Sequence, residues 1–151
     1  MKSLFTILSL IIFSSSANAQ NKNFDHKLAD SLGADQYGMK VYYLVILKKG
    51  KTEMTDKSKK SELMRGHMDN IRKLAKDGKL IVAGPMFEEN ENHYNGIFIL
   101  DAKTKAEAES LVLTDPSVKS GIFAAELYKW YGSAALPLYL KSHDKITKNS
   151  F

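Results

Sequence analysis

The sequence contains no cysteine, so disulfides, thiolate nucleophiles and cysteine-based zinc sites are excluded, and the core must hold without covalent staples. Arginine is nearly absent: of the 22 basic residues only Arg65 and Arg72 are arginines, and the lysines are spread along the whole chain. A nucleic-acid partner calls for basic residues gathered in a stripe with interleaved aromatics, so none is expected. There is no glycine-rich phosphate loop and no G-x-S-x-G nucleophile elbow. The longest apolar run is "LFTILSLIIF", ten residues, too short for a mature membrane span.

That run has its own reading. It follows the short basic start Met1-Lys2-Ser3 and precedes "SSSANAQ", in which Ala17-Asn18-Ala19 fits a small-residue cleavage site. Residues 1–19 are therefore expected to be a secretory signal peptide cut before Gln20, giving an exported, periplasmic or secreted protein with no membrane attachment after cleavage. One positive charge of the formal +5 leaves with Lys2. At 151 residues the chain is long enough for one domain with a proper core.

Residues 20–38 read as an N-terminal arm. Phe24, Leu28 and Leu32 recur every four residues, which predicts a short amphipathic helix docked on the domain and ended by Gly33. "MKVYYLVIL" (Met39–Leu47) is β-branched and aromatic, and both of its alternating sets are apolar, as in a strand covered on both faces. A helix is expected over Ser58–Asp77, with Leu63, His67, Ile71 and Leu74 on one stripe and Gly78 at its left-handed end. "KLIVAGP" and "GIFILD" predict two short strands joined by the polar "FEENENHYN". Thr104-Lys105-Ala106-Glu107 is a capping box opening a second helix that Pro116 ends. "GIFAAELYKWYG" predicts a last strand, apolar on both faces, and residues 133–151 form a tail that lies along the domain or a neighbour.

The order β-α-β-β-α-β over residues 39–132 is the α+β, ferredoxin-like arrangement: an antiparallel sheet with two helices on one face. Two helices cannot cover both sides of the sheet. The apolar second face therefore predicts a homodimer built sheet to sheet.

The stretches "GHMDNIRKLAKDGKLIVAGP", "GIFIL" and "TDPSVKSGIFAAELYKW", in that order over Met39–Tyr131, resemble the YciI-like (YCII-related) domain family. The resemblance implies a dimeric α+β barrel of ferredoxin-like subunits. It also implies an acid–base histidine and aspartate, which fall on His67 and Asp115. Some relatives act on ring compounds by elimination or isomerisation. The chain departs from the family pattern at Ser117, where bulkier residues are common, and in its export signal.

Two readings stand beside each other for both residues. His67 is either a histidine at a helix–sheet boundary satisfied by a backbone carbonyl, or a general acid–base, since imidazole titrates near neutral pH. Asp115 is either the N-cap of a short turn that Pro116 opens, or the partner that holds the imidazole in one tautomer. Candidate pocket residues are Tyr43, Gly84, Pro85, Phe87 and Trp130, each with a plainer role as core, interface or turn. His26, His93 and His143 sit in polar, loop-like stretches without partners at metal-ligand spacing, so no metal and no cofactor are expected. The expectation is an acid–base enzyme of isomerase or lyase type acting on a small cyclic compound. The rival is a non-catalytic dimeric module of the cell envelope that binds a small ligand or is purely structural.

Overall fold

The structure is a computed structural model and describes residues 21–148. The expected signal peptide, residues 1–19, lies outside the described residues. Strand β1 (Met39–Lys49) is the hub: it pairs with β3 (Tyr94–Leu100) on one side and β4 (Phe123–Ser133) on the other, both antiparallel. β2 (Leu80–Pro85) adds to the outer edge of β3, giving the order β2-β3-β1-β4. This is the ferredoxin-like order read from the sequence.

Helix α1 (His26–Leu32) is capped by Asp25, whose Oδ1 accepts the Leu28 N–H at 3.0 Å, and it ends at Gly33. Of the arm's three apolar positions Phe24 and Leu28 stay exposed, and Leu32 alone is half-buried. The arm is held by Asp35. One carboxylate oxygen accepts the N–H groups of Tyr37 and Met39, and the other accepts the Tyr131 hydroxyl from β4.

The period-two alternation of β1 divides the core in two. Tyr43, Val45 and Leu47 face the helices α2 (Lys57–Lys76) and α3 (Lys105–Val112), packing with Phe98, Leu100, Leu74, Ala108 and Val112. Full burial of a residue such as Val45 or Leu100 stabilises the fold by roughly 1.5–3 kcal/mol. Tyr42 faces the other way with Ile81 and Ile99.

That second face is not bare. After β4 the chain turns through a 3-10 segment (Leu136–Tyr139) into α5 (Leu140–Ile146), and Leu136 packs on the Tyr42 cluster. The Tyr139 hydroxyl donates to the Ile81 carbonyl at 2.5 Å, and the Tyr42 hydroxyl to that of Ser133 at 3.0 Å. Burial, with help from the Asp101 charge, pushes the Tyr42 phenol up to about 12. The tail thus lies along its own domain and covers one end of the face.

Candidate functional site

α2 begins at Asp56, whose Oδ1 accepts the N–H groups of Ser58 and Lys59, and its last turn carries Lys73 and Lys76, where the dipole favours cations. The helix buries His67, Asn70 and Leu74. Sequence periodicity singled out His67 and Leu74; Asn70, one turn beyond His67, was not in the expected stripe.

Against this face lies a four-residue helix the sequence read only as a turn, α4 (Pro116–Lys119), opened by Asp115. Consecutive residues of the α3–α4 link meet α2 in antiparallel order. The Ser117 hydroxyl donates to the Leu63 carbonyl at 3.1 Å, Pro116 lies against Gly66, Asp115 meets His67, and Thr114 meets Asn70. Ser117 is fully buried, so the departure from bulkier residues leaves room for the link to sit directly on the helix.

The histidine–aspartate contact is short: His67 Nδ1 lies 2.5 Å from Asp115 Oδ2, with the two side chains 10% and 1% exposed. Asp115 Oδ1 accepts the Ser117 N–H at 2.8 Å. Each oxygen therefore has a separate partner: one caps α4, the other faces the imidazole. A carboxylate only accepts hydrogen bonds, so Nδ1 donates and Nε2 of the neutral ring is left as an acceptor. Among the described residues Nε2 has no hydrogen-bond partner, yet it is not sealed in. The only buried side-chain nitrogen or oxygen left without a partner there is Nδ2 of Asn70. The ring is held flat by aromatic neighbours. Phe98 of β3 stacks at 6.0 Å between centroids and Phe123 of β4 stands edge-on at 5.4 Å.

Beyond Phe123 opens a cleft of about 770 Å³, between the β1–α2 and β2–β3 connections. Its walls include Met54, Met64, Phe87, Phe123, Lys60 and His93. His67 and Asp115 do not line it; Phe123, which does, stands edge-on to the His67 ring, and Met64, another lining residue, has its sulfur 3.9 Å from Ser117 Oγ. One wall is fixed by a close backbone approach: a Cβ on Gly50 would fall 2.0 Å from the Gly121 carbonyl oxygen, and the Gly50 N–H bonds Ile122 O at 2.7 Å. Gly121 itself has φ +79°, a conformation that favours glycine.

Of the five candidate pocket residues, Phe87 alone borders the cleft, and it is fully exposed. Tyr43 is buried under the helices. Gly84 and Pro85 end the edge strand β2. Trp130 packs on Tyr42 across the sheet, at 5.9 Å between rings. The sequence reading missed His93, which lines the cleft with φ +54° and is held by its N–H to Asn90 O and by the Lys49 N–H to its carbonyl. The signal available was the dense polar loop "ENENHYN", in which the Asn90 side chain accepts from the Tyr94 N–H and donates to the Tyr94 carbonyl. His26 and His143 lie in helices α1 and α5, not in loops. Among the described residues no three His, Asp or Glu side chains gather as a metal-holding group, and no helix is long and apolar enough to cross a membrane.

Fold and site together define a ferredoxin-like domain with a buried histidine–aspartate pair between its first long helix and the turn before its last strand. The chain belongs to the YCII-related domain family, whose model matches residues 41–130. Among solved structures it is similar to the 5-chloro-2-hydroxyhydroquinone dehydrochlorinase of Burkholderia phenoliruptrix AC1100, in complex with 2,5-dihydroxybenzoquinone. The two are 21% identical with a TM-score of 0.44, and the match covers 58% of this chain and 92% of that one. No curated protein matches the chain.

Proposed function

We propose that the protein is an acid–base enzyme that moves protons on a small cyclic or enol-type organic compound, with His67 as proton carrier and Asp115 as its orienting partner. One observation carries this reading: both oxygens of Asp115 are engaged, which leaves Nε2 of His67 as the one polar atom of the pair without a partner among the described residues. A cap alone would need only Oδ1. In the reading, substrate occupies the cleft and reaches Nε2 past Phe123 and Met64. Nε2 takes a proton from a carbon activated by a neighbouring carbonyl. The proton is then returned to another carbon, in an isomerisation, or the electron pair expels a leaving group, in an elimination. The imidazole can do this without a cofactor.

The test is turnover of a panel of small lactones, enols and hydroxyquinones by wild type and by His67→Gln, whose amide can still donate to Asp115 but cannot cycle a proton. Loss of turnover in the variant with an unchanged melting temperature supports the reading. A panel left wholly untouched by wild type overturns it, and a ligand that co-purifies unaltered then identifies a binding module. The proposal includes an exported homodimer, with the second copy on the apolar half of the sheet that the tail leaves uncovered.

A further inference from the structure

Asn70 is buried, 9% exposed, and its hydrogen bonds raise a question of proton count. The Thr114 hydroxyl lies 2.6 Å from the Leu111 carbonyl oxygen and 2.9 Å from the Asn70 amide oxygen. A hydroxyl has one proton to give. The Leu111 carbonyl can only accept, and its contact is the shorter, so the proton goes there. Whatever else faces Thr114 Oγ1 must then donate. The Asn70 amide meets that need when turned about its terminal bond, nitrogen toward Thr114, since oxygen and nitrogen of an amide are assigned by their partners. The turn also places the carbonyl oxygen where the unpartnered Nδ2 otherwise sits. A buried carbonyl tolerates a missing partner better than an N–H does.

From this geometry we propose that Asn70 is a positioning residue for the His67–Asp115 pair. Its amide N–H holds Thr114, the residue directly before Asp115, and so keeps the Asp115 carboxylate against Nδ1. The contacts of α2 with residues 114–117 run in order, and Asn70–Thr114 closes the end of the row beyond His67. Without it the link is held on that helix only from Asp115 onward. Leucine would fill the same interior beside Leu74 without an unpartnered polar atom, so packing alone does not account for an amide here. The inference borrows from the proposed function only in naming what is positioned; its test needs no substrate.

That test follows the His67 ring by NMR at fixed pH: the nitrogen shifts that report the tautomer, and exchange of the Nδ1 proton with water. Thr114→Val removes the hydroxyl at an exposed position that folding tolerates, Asn70→Leu removes the amide, and Thr114→Ser restores the hydroxyl. In Thr114→Val and Asn70→Leu the Nδ1 proton is expected to exchange roughly tenfold faster or more, as local opening grows. The ring nitrogens should move toward a mixture of tautomers. Thr114→Ser should stay within about twofold of wild type. Exchange and tautomer in Thr114→Val indistinguishable from wild type overturn the proposal, whether or not Asn70→Leu folds. A lower melting temperature with an unchanged ring signature likewise marks a purely structural role. Failure of the compound panel would remove the proposed function and leave this result standing.

Discussion

Gly66 and Pro116 touch with nothing between them: a Cβ on Gly66 would lie 2.9 Å from Pro116 Cγ. One position further along α2, and one back along the link, His67 meets Asp115. The absence of a side chain at Gly66 is thus what lets the turn carrying Asp115 come within hydrogen-bond reach of the imidazole.

Gly66→Ala sets two effects against each other. Alanine in a helix interior gains roughly 0.5–1 kcal/mol over glycine. Overpacking against a proline ring, which cannot rotate aside, costs roughly 1–3 kcal/mol. The net expectation is a loss of up to about 2.5 kcal/mol in denaturant unfolding. Turnover should fall by more than stability does, because the displacement falls on the residue beside Asp115. A variant more stable than wild type would show that the contact is not tight.

Asp115→Asn and Asp115→Ala should part in stability and agree in activity. Asparagine caps helices as well as aspartate. Its oxygen is taken by the Ser117 N–H, so its NH2 faces Nδ1 and obliges that nitrogen to accept, which moves the ring proton to Nε2. Stability should change by less than about 1 kcal/mol while the base is lost. Alanine loses the cap, about 1 kcal/mol, and leaves the buried Nδ1 of His67 without its partner, roughly 1–3 kcal/mol more. Calorimetry beside turnover separates the two; equal stabilities would mean that the cap is idle.

Much of this architecture is written in local pattern. The two apolar sets of β1, the stripe on α2 and the Thr104–Glu107 box are short-range features, and the elements formed where they stand. Asp115 shows what pattern leaves open: Asp-Pro marks a cap, but which element the second oxygen meets depends on how two helices lie on the sheet. The Asn70–Thr114 contact is hidden for the same reason, since an asparagine among apolar positions looks like a break in the stripe. The cleft is built from two connections whose paths no periodicity encodes, so Phe87 was found there and His93 was not. "SAALPLYL" has too little repeat to announce that Leu136 and Tyr139 fold back over Tyr42 and Ile81.

Lys79, just before β2, reaches Glu107 of α3 at 2.7 Å. Their hydrogen bond holds the carboxyl below its ordinary 4.5 and the ammonium above its ordinary 10.5. For the depressed carboxyl, stability is fully present above 4.5 and is lost as pH falls through the lower folded value. For the raised ammonium it is fully present below 10.5 and is lost as pH rises through the higher one. Glu107→Gln keeps a side-chain acceptor for the Lys103 N–H but removes the charge. Its stability deficit against wild type should be constant near neutral pH and shrink toward zero as pH drops below the carboxylate range. Both groups are open to solvent, so added salt should shrink it too. A deficit that persists at acid pH would assign the effect to the cap.

The uncovered half of the second sheet face supplies the last test. Leu44, Ile46 and Ile97 are half-buried there and Tyr128 is 49% exposed, around the Lys48–Glu126 ion pair whose carboxylate also accepts the Tyr128 hydroxyl. If a second copy covers this patch, wild type should show twice the chain mass at micromolar concentration. Ile46→Lys is the informative variant, because Ile46 stands directly opposite Glu126 in the β1–β4 register. In a monomer the new lysine gains a cross-strand partner of opposite charge, worth roughly 0.2–1 kcal/mol, and the fold tolerates it. Within a dimer interface it would add a second cation beside a carboxylate that Lys48 already neutralises, leaving an unbalanced buried charge, which is costly. The expected result is a folded monomer with a melting temperature independent of protein concentration, where wild type shows a dependence. A wild type that is already monomeric by light scattering removes the dimer.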